Sequence, residues 1–207
     1  MKISVFVRNE EQYQTVKRYP VSHIYSDDLS LVQKYPEIYY QMPRVKVDTL
    51  SCPLRVLVNN VGIMKEFYDH KEMIGDYFLN IANLSTIKLY SKYLKHMTLS
   101  IECSKEEVSL LKEMADKIEI FLYGRVEVMI LKRHPAITKN GYLLQDREGH
   151  VYPTRVDGEG HVHIFHYEPL NRISEMSEYQ KLGISFYRID FFDESVNDIK
   201  QILEQVF

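Results

Sequence analysis

The residues best suited to chemistry lie in one stretch, Ile118 to Pro135, with the sequence IEIFLYGRVEVMILKRHP. Glu119 lies inside an apolar run, which is interrupted at Tyr123-Gly124-Arg125 and followed by a second apolar run that ends at His134-Pro135. A carboxylate can act as a general base, and a guanidinium can stabilise negative charge that develops in a transition state. The stretch therefore predicts either an active site or the scaffold of one.

A polar face recurs on several predicted strands. Successive strand residues point to opposite faces of a sheet, and each of these strands has one apolar and one polar face. In a barrel the helices cover the apolar face, so the polar side chains should point into the lumen, near the C-terminal strand ends where barrel enzymes keep their active sites. The candidate catalytic residues are Glu102, Glu119, Tyr123, Arg125, Arg188 and Asp190, and the candidate substrate-binding residues are Asn80, Ser100 and Arg147.

The same polar lumen also fits a purely structural interpretation. Glu102 and Glu119 could pair with Arg125 and Arg188 in a buried network that stabilises the barrel and binds no ligand. The charge pattern by itself leaves both interpretations open.

A metal site is a further hypothesis, because three of the eight histidines fall within the segment HVHIFH. If that segment is extended, His161 and His163 lie on one face of a strand, and His134 could complete a set of three nitrogen ligands. Short histidine tracts are more often part of an exposed hairpin edge. We therefore predict no bound metal.

Composition excludes several classes of protein. The 207 residues carry a formal net charge of -3, so the chain has no overall basic field for nucleic acid. Cys52 and Cys103 are the only cysteines, too few for a disulfide framework or an all-cysteine metal cage. No apolar segment approaches the roughly 18 residues that cross a membrane, and the first strand follows Met1-Lys2 without a signal peptide. We therefore expect a cytoplasmic protein that does not bind membranes.

The elements that must position these residues alternate along the chain. Apolar, β-rich runs are followed by charged segments with helical spacing, among them predicted helices over 63–70 and 105–116. A capping box of Ser104 and Glu107 marks the start of the second of these helices. Residues 126–170 instead have hairpin-like sequence. The predicted strands are Ile3–Val7, His23–Tyr25, Ile38–Gln41, Leu54–Val58, Asp76–Ile81, Met97–Ile101, Ile118–Leu122 and Ile184–Ile189.

This alternation is typical of an α/β fold with a parallel sheet. Eight strands predict a small or distorted TIM-like (β/α)8 barrel with a β-hairpin insertion before the last strand. Since the length fits one domain, we interpret residues 1–207 as a single barrel-like domain in which 126–170 is a β-rich insertion.

An ordered set of residues also matches a known family signature. The set comprises Glu119, Tyr123-Gly124-Arg125, Met129, His134-Pro135, Asp146-Arg147, Gly149, Tyr152-Pro153, Pro169-Leu170, Gly183-Ile184, Arg188-Ile189-Asp190 and Glu194. With this spacing the chain resembles the C-terminal signature of the collagenase-like peptidases, peptidase family U32. The similarity extends back through Asn80, Asn83, Ser100 and Glu102, and Asn9-Glu11-Gln12 resembles the start of the final module in long, multi-domain members.

The resemblance implies a barrel-like fold and a peptidase. As a hydrolase acting on peptides, the domain would use the polar lumen, with Glu102 or Glu119 as general base and Arg125 or Arg188 stabilising negative charge. This hypothesis lacks an evident nucleophile or metal.

The resemblance also implies a second kind of chemistry. Several relatives are iron-sulfur proteins that support hydroxylation of RNA bases or of a quinone precursor, and they hold the cluster with four cysteines around the stretch described first. Here His134 stands at the first of those positions, the loop for the next two is shortened to residues 138–141, and the last falls near His161. Without these thiolates we expect no cluster and no other cofactor.

The alternative hypothesis is a non-catalytic binding module. Such a degenerate barrel would recognise RNA, or a partner catalytic barrel in the same or another chain. It fits the loss of the cysteines together with the retention of Arg125, Arg147 and Arg188, which could contact phosphate or carboxylate groups.

The missing cysteines lead to a direct prediction. Elemental analysis of the purified protein should find no stoichiometric iron, and its visible spectrum should lack the absorption of an iron-sulfur cluster. Stoichiometric iron with a brown chromophore would contradict this prediction.

Overall fold

The computed structural model describes residues 1–45, 53–67, 69 and 71–207. Contacts between residues divide the chain into two compact units: Met1–Tyr123 with Arg172–Phe207, and Gly124–Asn171. Within the described residues, no helix is both long and apolar enough to span a membrane. The interpretation of residues 1–207 as a single domain stays a prediction.

The strands and helices are short. In chain order the strands are β1 Lys2–Phe6, β2 His23–Ser26, β3 Tyr39–Gln41, β4 Arg55–Val58, β5 Glu72–Gly75, β6 Met97–Thr98, β7 Ile118–Gly124, β8 Glu127–Leu131, β9 Leu143–Gln145, β10 Val151–Val156, β11 Val162–Phe165, β12 Leu170–Asn171 and β13 Phe186–Asp190. The α-helices are α1 Glu10–Val16, α2 Leu29–Lys34, α3 Val61–Phe67, α4 Leu84–Tyr90, α5 Lys105–Ser109, α6 Met176–Lys181 and α7 Val196–Glu204. Three 3-10 helices, Tyr77–Leu79, Lys112–Lys117 and Ile173–Glu175, complete the described elements.

Eight strands close into a barrel in the first unit. Their order is β7-β13-β1-β2-β3-β4-β5-β6, and β6 pairs with β7 to complete the ring. The pairing is parallel, as in the registers Val5↔Ile189 and Met97↔Ile118. The predicted α/β fold, a TIM-like barrel with a β-rich insertion before its last strand, is therefore confirmed.

Strand parity separates two layers of side chains. The outer layer, which the helices cover, is a large apolar cluster that includes Val5, Val56 and Ile189. The inner layer contains a separate cluster with one side chain from each of β1 to β5: Phe6, Tyr25, Tyr39, Leu57 and Ile74. In β1 to β5 the members of the two clusters alternate along the strand, because successive strand residues point to opposite faces.

Two predicted strands are wrong in position or length. The fifth strand is β5, Glu72–Gly75, and the predicted segment Asp76–Ile81 contains a 3-10 helix instead. The sixth strand ends at Thr98 rather than Ile101, because the backbone N–H of Ser100 donates to Ile81 and the chain turns away from β7. The barrel strands at these positions contain only four and two residues, whereas the apolar sequence pattern continues further.

Two predicted helices are correct in place but differ in extent. The capping box of Ser104 and Glu107 begins α5 as predicted, yet the helix over 105–116 divides into α5 and a 3-10 segment. The predicted helix over 63–70 corresponds to α3, and its positions 68 and 70 lie outside the described residues.

The second unit is built on an antiparallel sheet. Its four strands lie in the order β8-β11-β10-β9, around a small core of Ile137, Val162 and Ile164. Strand β10 was not among the predicted strands, although it joins β9 to β11 in this sheet.

Gly75 offers a test of how closely the strands approach each other. A Cβ atom added at Gly75 would lie 2.8 Å from the Cβ of Met97 and 2.9 Å from a methyl carbon of Leu94. We expect Gly75→Ala to lower the free energy of unfolding by about 1–3 kcal/mol, because the strands must shift apart. Urea unfolding would measure the change.

Gly158→Ala is the matched control, because an added Cβ there meets no atom within 4 Å. Its free energy of unfolding should fall by less than about 0.5 kcal/mol. An equal loss in both variants would contradict the proposed close approach.

Candidate functional site

The centre of the barrel lumen holds a buried guanidinium. Arg188 is fully buried, and it donates from Nε and Nη2 to the two carboxylate oxygens of Asp190 at 2.6 and 2.8 Å. Its Nη1 donates to Oδ1 of Asp76 at 3.1 Å, and Asp76 is also fully buried. The side-chain amide of Gln41 donates to the other oxygen of Asp76 at 2.6 Å. Four side chains, from strands β13 and β3 and from the end of β5, thus form one charged network.

Aromatic rings enclose this guanidinium. The carbon Cζ of Arg188 lies 5.2 Å from the ring centres of Tyr25 and Tyr77, 5.6 Å from that of Phe6 and 5.9 Å from that of Phe121. Cation–π attraction adds to the ion pairs when a cation is desolvated in this way. Together they compensate for the removal of the charge from water.

Glu119 forms a second polar centre in the same lumen. It is fully buried, and it accepts hydrogen bonds from the hydroxyl of Thr98 at 2.7 Å and from that of Tyr25 at 3.1 Å. The Nε2 atom of His96 lies 3.5 Å from its carboxylate. The hydroxyl groups that donate to Glu119 at these distances thus belong to β2 and β6, and the predicted ion pair with Arg125 or Arg188 is not among its contacts.

The pKa of Glu119 follows from these contacts. Burial alone would raise it, but hydrogen bonding and charge from His96, the charge of Arg188 and a hydrogen bond from Ser4 lower the pKa to about 2. A general base works best when its pKa is near the working pH, so this carboxylate is a weak proton acceptor at neutral pH. The environment favours a permanently ionised structural group.

A histidine pair lies beside Glu119. The rings of His23 and His96 are 4.9 Å apart, and His96 stacks on Phe186 with ring centres 4.2 Å apart. Burial, followed by the charge of His96, lowers the pKa of His23 to about 4, so His23 is neutral at pH 7. Its Nδ1 shares a hydrogen bond with the hydroxyl of Ser4 at 3.3 Å.

Two predicted site residues do not face the lumen. Glu102 is exposed in the turn after β6. Because β6 ends at Thr98, the alternation of side chains along a strand does not extend to Glu102. Asn80 is exposed, and its backbone adopts the left-handed conformation with φ 51°. It lies at the end of the 3-10 helix that replaces the predicted fifth strand. The prediction that these two side chains point into the lumen is therefore wrong.

Ser100 and Tyr123 lie at the edge of the barrel. Ser100 is buried and lines a small pocket together with Arg172, whose guanidinium donates to the carbonyl of Ile101 at 2.8 Å. The half-buried Tyr123 donates from its hydroxyl to the carboxylate of Glu194 at 3.1 Å. Their roles in a site stay predictions.

The two remaining arginines belong to the second unit. The guanidinium of Arg125 donates to the carbonyls of His166 and Tyr167 at 3.1 and 2.5 Å, so it supports the backbone of its own unit. Arg147 is exposed in the turn between β9 and β10. The predicted network of two acids with Arg125 and Arg188 is thus replaced by Asp76, Asp190 and Arg188.

His161 and His163 bond to carboxylates. Both share hydrogen bonds with Oδ2 of Asp157, at 2.8 and 3.3 Å, and His163 also contacts Glu127 at 2.7 Å. Burial tends to lower the pKa of His163, but the hydrogen bond and charge of Glu127, with those of Asp157, raise it above its usual value. His134 instead accepts from the backbone N–H of Ala136, two residues along the chain.

Possible ligands for a metal or cluster are few among the described residues. In this part of the chain, Asp146, Glu148 and His150 form a group whose possible ligand atoms all lie within 4.8 Å of one another. The three residues belong to one turn at the surface. The second unit contains no cysteine, and Cys103 is a buried free thiol in the first unit, so the donor set does not fit an iron-sulfur cluster. Cys52 lies outside the described residues.

Sequence reasoning missed several members of the lumen network: Tyr25, Gln41, Asp76, His96 and Thr98. The misplaced fifth strand hid Asp76, since the segment MIGD ends an apolar run with an acid and could have been recognised as a strand end. Nothing in the local sequence distinguishes the other four from ordinary core or surface residues.

Comparisons with known proteins add little. No protein-family model matches the chain, and no curated protein matches it. Among solved structures, the spore cortex-lytic enzyme SleL of Bacillus megaterium QM B1551 is similar, with a TM-score of 0.41 and 10% identity over 100% of this chain and 74% of that chain. So distant a likeness assigns no chemistry to the lumen.

The low pKa of Glu119 leads to a prediction about acid stability. Because the carboxyl protonates near pH 4.5 in the unfolded chain but near 2 in the folded protein, it stabilises the fold above pH 4.5 and loses that effect as the pH falls towards 2. About 3 kcal/mol of stability at neutral pH should depend on it. Glu119→Gln should therefore flatten the acid side of a plot of unfolding free energy against pH.

Glu106→Gln is the control, because Glu106 is an exposed carboxylate on α5. Its plot should follow that of the wild type. If the unfolding free energy of Glu119→Gln fell with decreasing pH as steeply as that of the wild type, the buried carboxylate would not stabilise the fold.

Proposed function

We propose that the chain is a divergent relative of the U32 peptidases that binds RNA and does not hydrolyse peptides. The observation that carries the proposal is the environment of the two lumen groups best suited to catalysis. Glu119 and Arg188 have no exposed surface, and side chains of the barrel already occupy their polar atoms.

A hydrolase would need these groups to meet a substrate. A general base must come within hydrogen-bonding distance of the proton that it abstracts, and a stabilising cation must reach the developing charge. Opening the network around Arg188 would leave Asp76 and Asp190 as buried, uncompensated charges, which typically costs about 3–5 kcal/mol. Within the described part of the barrel, these groups are better suited to structural support than to turnover.

The charge balance of the second unit limits how RNA would be held. Residues 124–171 contain six Arg and Lys and six Asp and Glu, so these groups sum to zero. A groove that neutralises many phosphates is thus disfavoured, whereas single-stranded RNA can bind through base stacking with few phosphate contacts. The exposed Arg147 is suited to one such contact.

Two measurements on the same purified protein test the proposal. Fluorescence anisotropy with a labelled single-stranded oligoribonucleotide should show binding that weakens with salt, with a logarithmic slope of about 0.7 per phosphate contacted. Arg147→Gln should reduce that slope by about 0.7, the value for one phosphate contact. Lys200→Gln, on α7 of the first unit, should leave the slope unchanged. A fluorogenic peptide library should show no turnover.

The opposite pattern would support a peptidase. Peptide hydrolysis that is lost in Glu119→Gln, with folding retained by circular dichroism, would overturn the proposal. Absence of RNA binding at low salt would overturn it as well.

A further inference from the structure

Four aromatic side chains form a stacked group in the second unit, here called the aromatic ladder: His150, Tyr152, His166 and Tyr167. Tyr167 stacks on His150 with ring centres 4.2 Å apart and planes at 24°, and on His166 at 4.3 Å and 29°. Tyr152 meets Tyr167 edge to face at 5.5 Å and His166 at 6.3 Å. Stacked and edge-to-face pairs at these distances are both favourable arrangements of π systems.

The ladder is held in place by a carboxylate on one side. Asp146 accepts hydrogen bonds from the backbone N–H groups of Glu148 and His150 at 2.9 and 3.0 Å, and from the hydroxyl of Tyr152 at 3.2 Å. Its Oδ2 also shares a hydrogen bond with Nδ1 of His150 at 3.0 Å. One side chain therefore sets the positions of two rings of the ladder.

An arginine fixes the other two rings through the backbone. Arg125 donates from one nitrogen to the carbonyls of His166 and Tyr167, which anchors the segment after β11 that carries these rings. A binding site works best when its groups are held by supporting contacts before the ligand arrives. The ladder has such support from both Asp146 and Arg125.

Each ring of the ladder remains partly exposed. The side chain of His150 is 37% exposed, and Tyr152, His166 and Tyr167 are half-buried. The core of this unit is formed instead by Ile137, Val162 and Ile164, against which Tyr152 packs. Three of the four rings are thus stacked outside the core that stabilises the sheet.

We propose that the aromatic ladder is a stacking platform for the bases of single-stranded RNA, with Arg147 contacting a phosphate. This inference rests on the proposed function and adds the place and the mode of binding. Every base has a π face, so stacking on Tyr and His rings needs little sequence recognition and little positive charge. The platform therefore fits a unit whose Arg and Lys residues are balanced by its acids.

The acids near the ladder also restrict its ligand. Asp146 and Glu148 lie in the same turn as Arg147, and they repel a densely charged backbone such as that of a duplex. Bases in a duplex are also stacked on each other and unavailable to protein rings. Single strands should therefore bind more tightly than duplexes of the same sequence.

The test uses an oligoribonucleotide that contains 2-aminopurine, whose fluorescence falls when it stacks on an aromatic ring. Binding to the wild type should quench the fluorescence. Because His150 and His166 both stack on Tyr167, a base would stack on the outer face of a histidine. Tyr167→Leu removes the ring that supports both histidines, so it should abolish the quenching and weaken binding about 5- to 100-fold. His166→Leu, at one end of the stack, should have a smaller effect in the same direction.

Tyr142→Leu is the matched control, because Tyr142 is a 41% exposed tyrosine of the same unit outside the ladder. Its binding and quenching should equal those of the wild type. Far-ultraviolet circular dichroism, which reports on the backbone, should confirm that each variant keeps its fold.

The outcomes separate this inference from the function on which it rests. If RNA binds but Tyr167→Leu, His166→Leu and Tyr142→Leu all behave like the wild type, the ladder is not the site and RNA binding still stands. Duplex binding as tight as single-strand binding would also overturn the inference alone. No RNA binding by the wild type would overturn both proposals.

Discussion

The fold depends on the burial of one guanidinium at the centre of the barrel. Arg188 has no exposed surface, and a charge removed from water is tolerated only when it is paired and hydrogen-bonded. Asp190, two residues along the same strand, and Asp76, beyond the end of β5, meet this requirement. The network ties the last strand of the barrel to the fifth, and it requires that β5 end where Asp76 can reach the lumen.

The same requirement bears on function. Most barrels fill their lumen with branched apolar side chains, whereas this one places Glu119 and the Arg188 network there. Because the polar atoms of these residues are engaged with each other and with aromatic neighbours, the polarity of the lumen is no indication of catalysis. The partly exposed aromatic rings that we propose as a ligand site lie instead in the second unit, where Asp146 and Arg125 hold them in position.

Much of the barrel was predictable because its determinants are local. Alternation of apolar runs with helical spacing located seven of the eight barrel strands, and parity correctly directed Glu119, Arg188 and Asp190 inward. The failures share one physical cause. Parity holds only while a segment remains extended, so Glu102 and Asn80 were misdirected by strands that end earlier or begin elsewhere in the structure.

The sequence by itself determined the fold class, the insertion before the last strand and the presence of charged side chains in the lumen, since these follow from periodicity and order along the chain. Only the tertiary structure decided the partners of those charges. Arg188 and Asp76 are 112 positions apart, and the four rings of the ladder come from a turn, a strand and the segment after β11. Contacts of this kind depend on where parallel strands stop and where a sheet folds back, which neither spacing nor composition records.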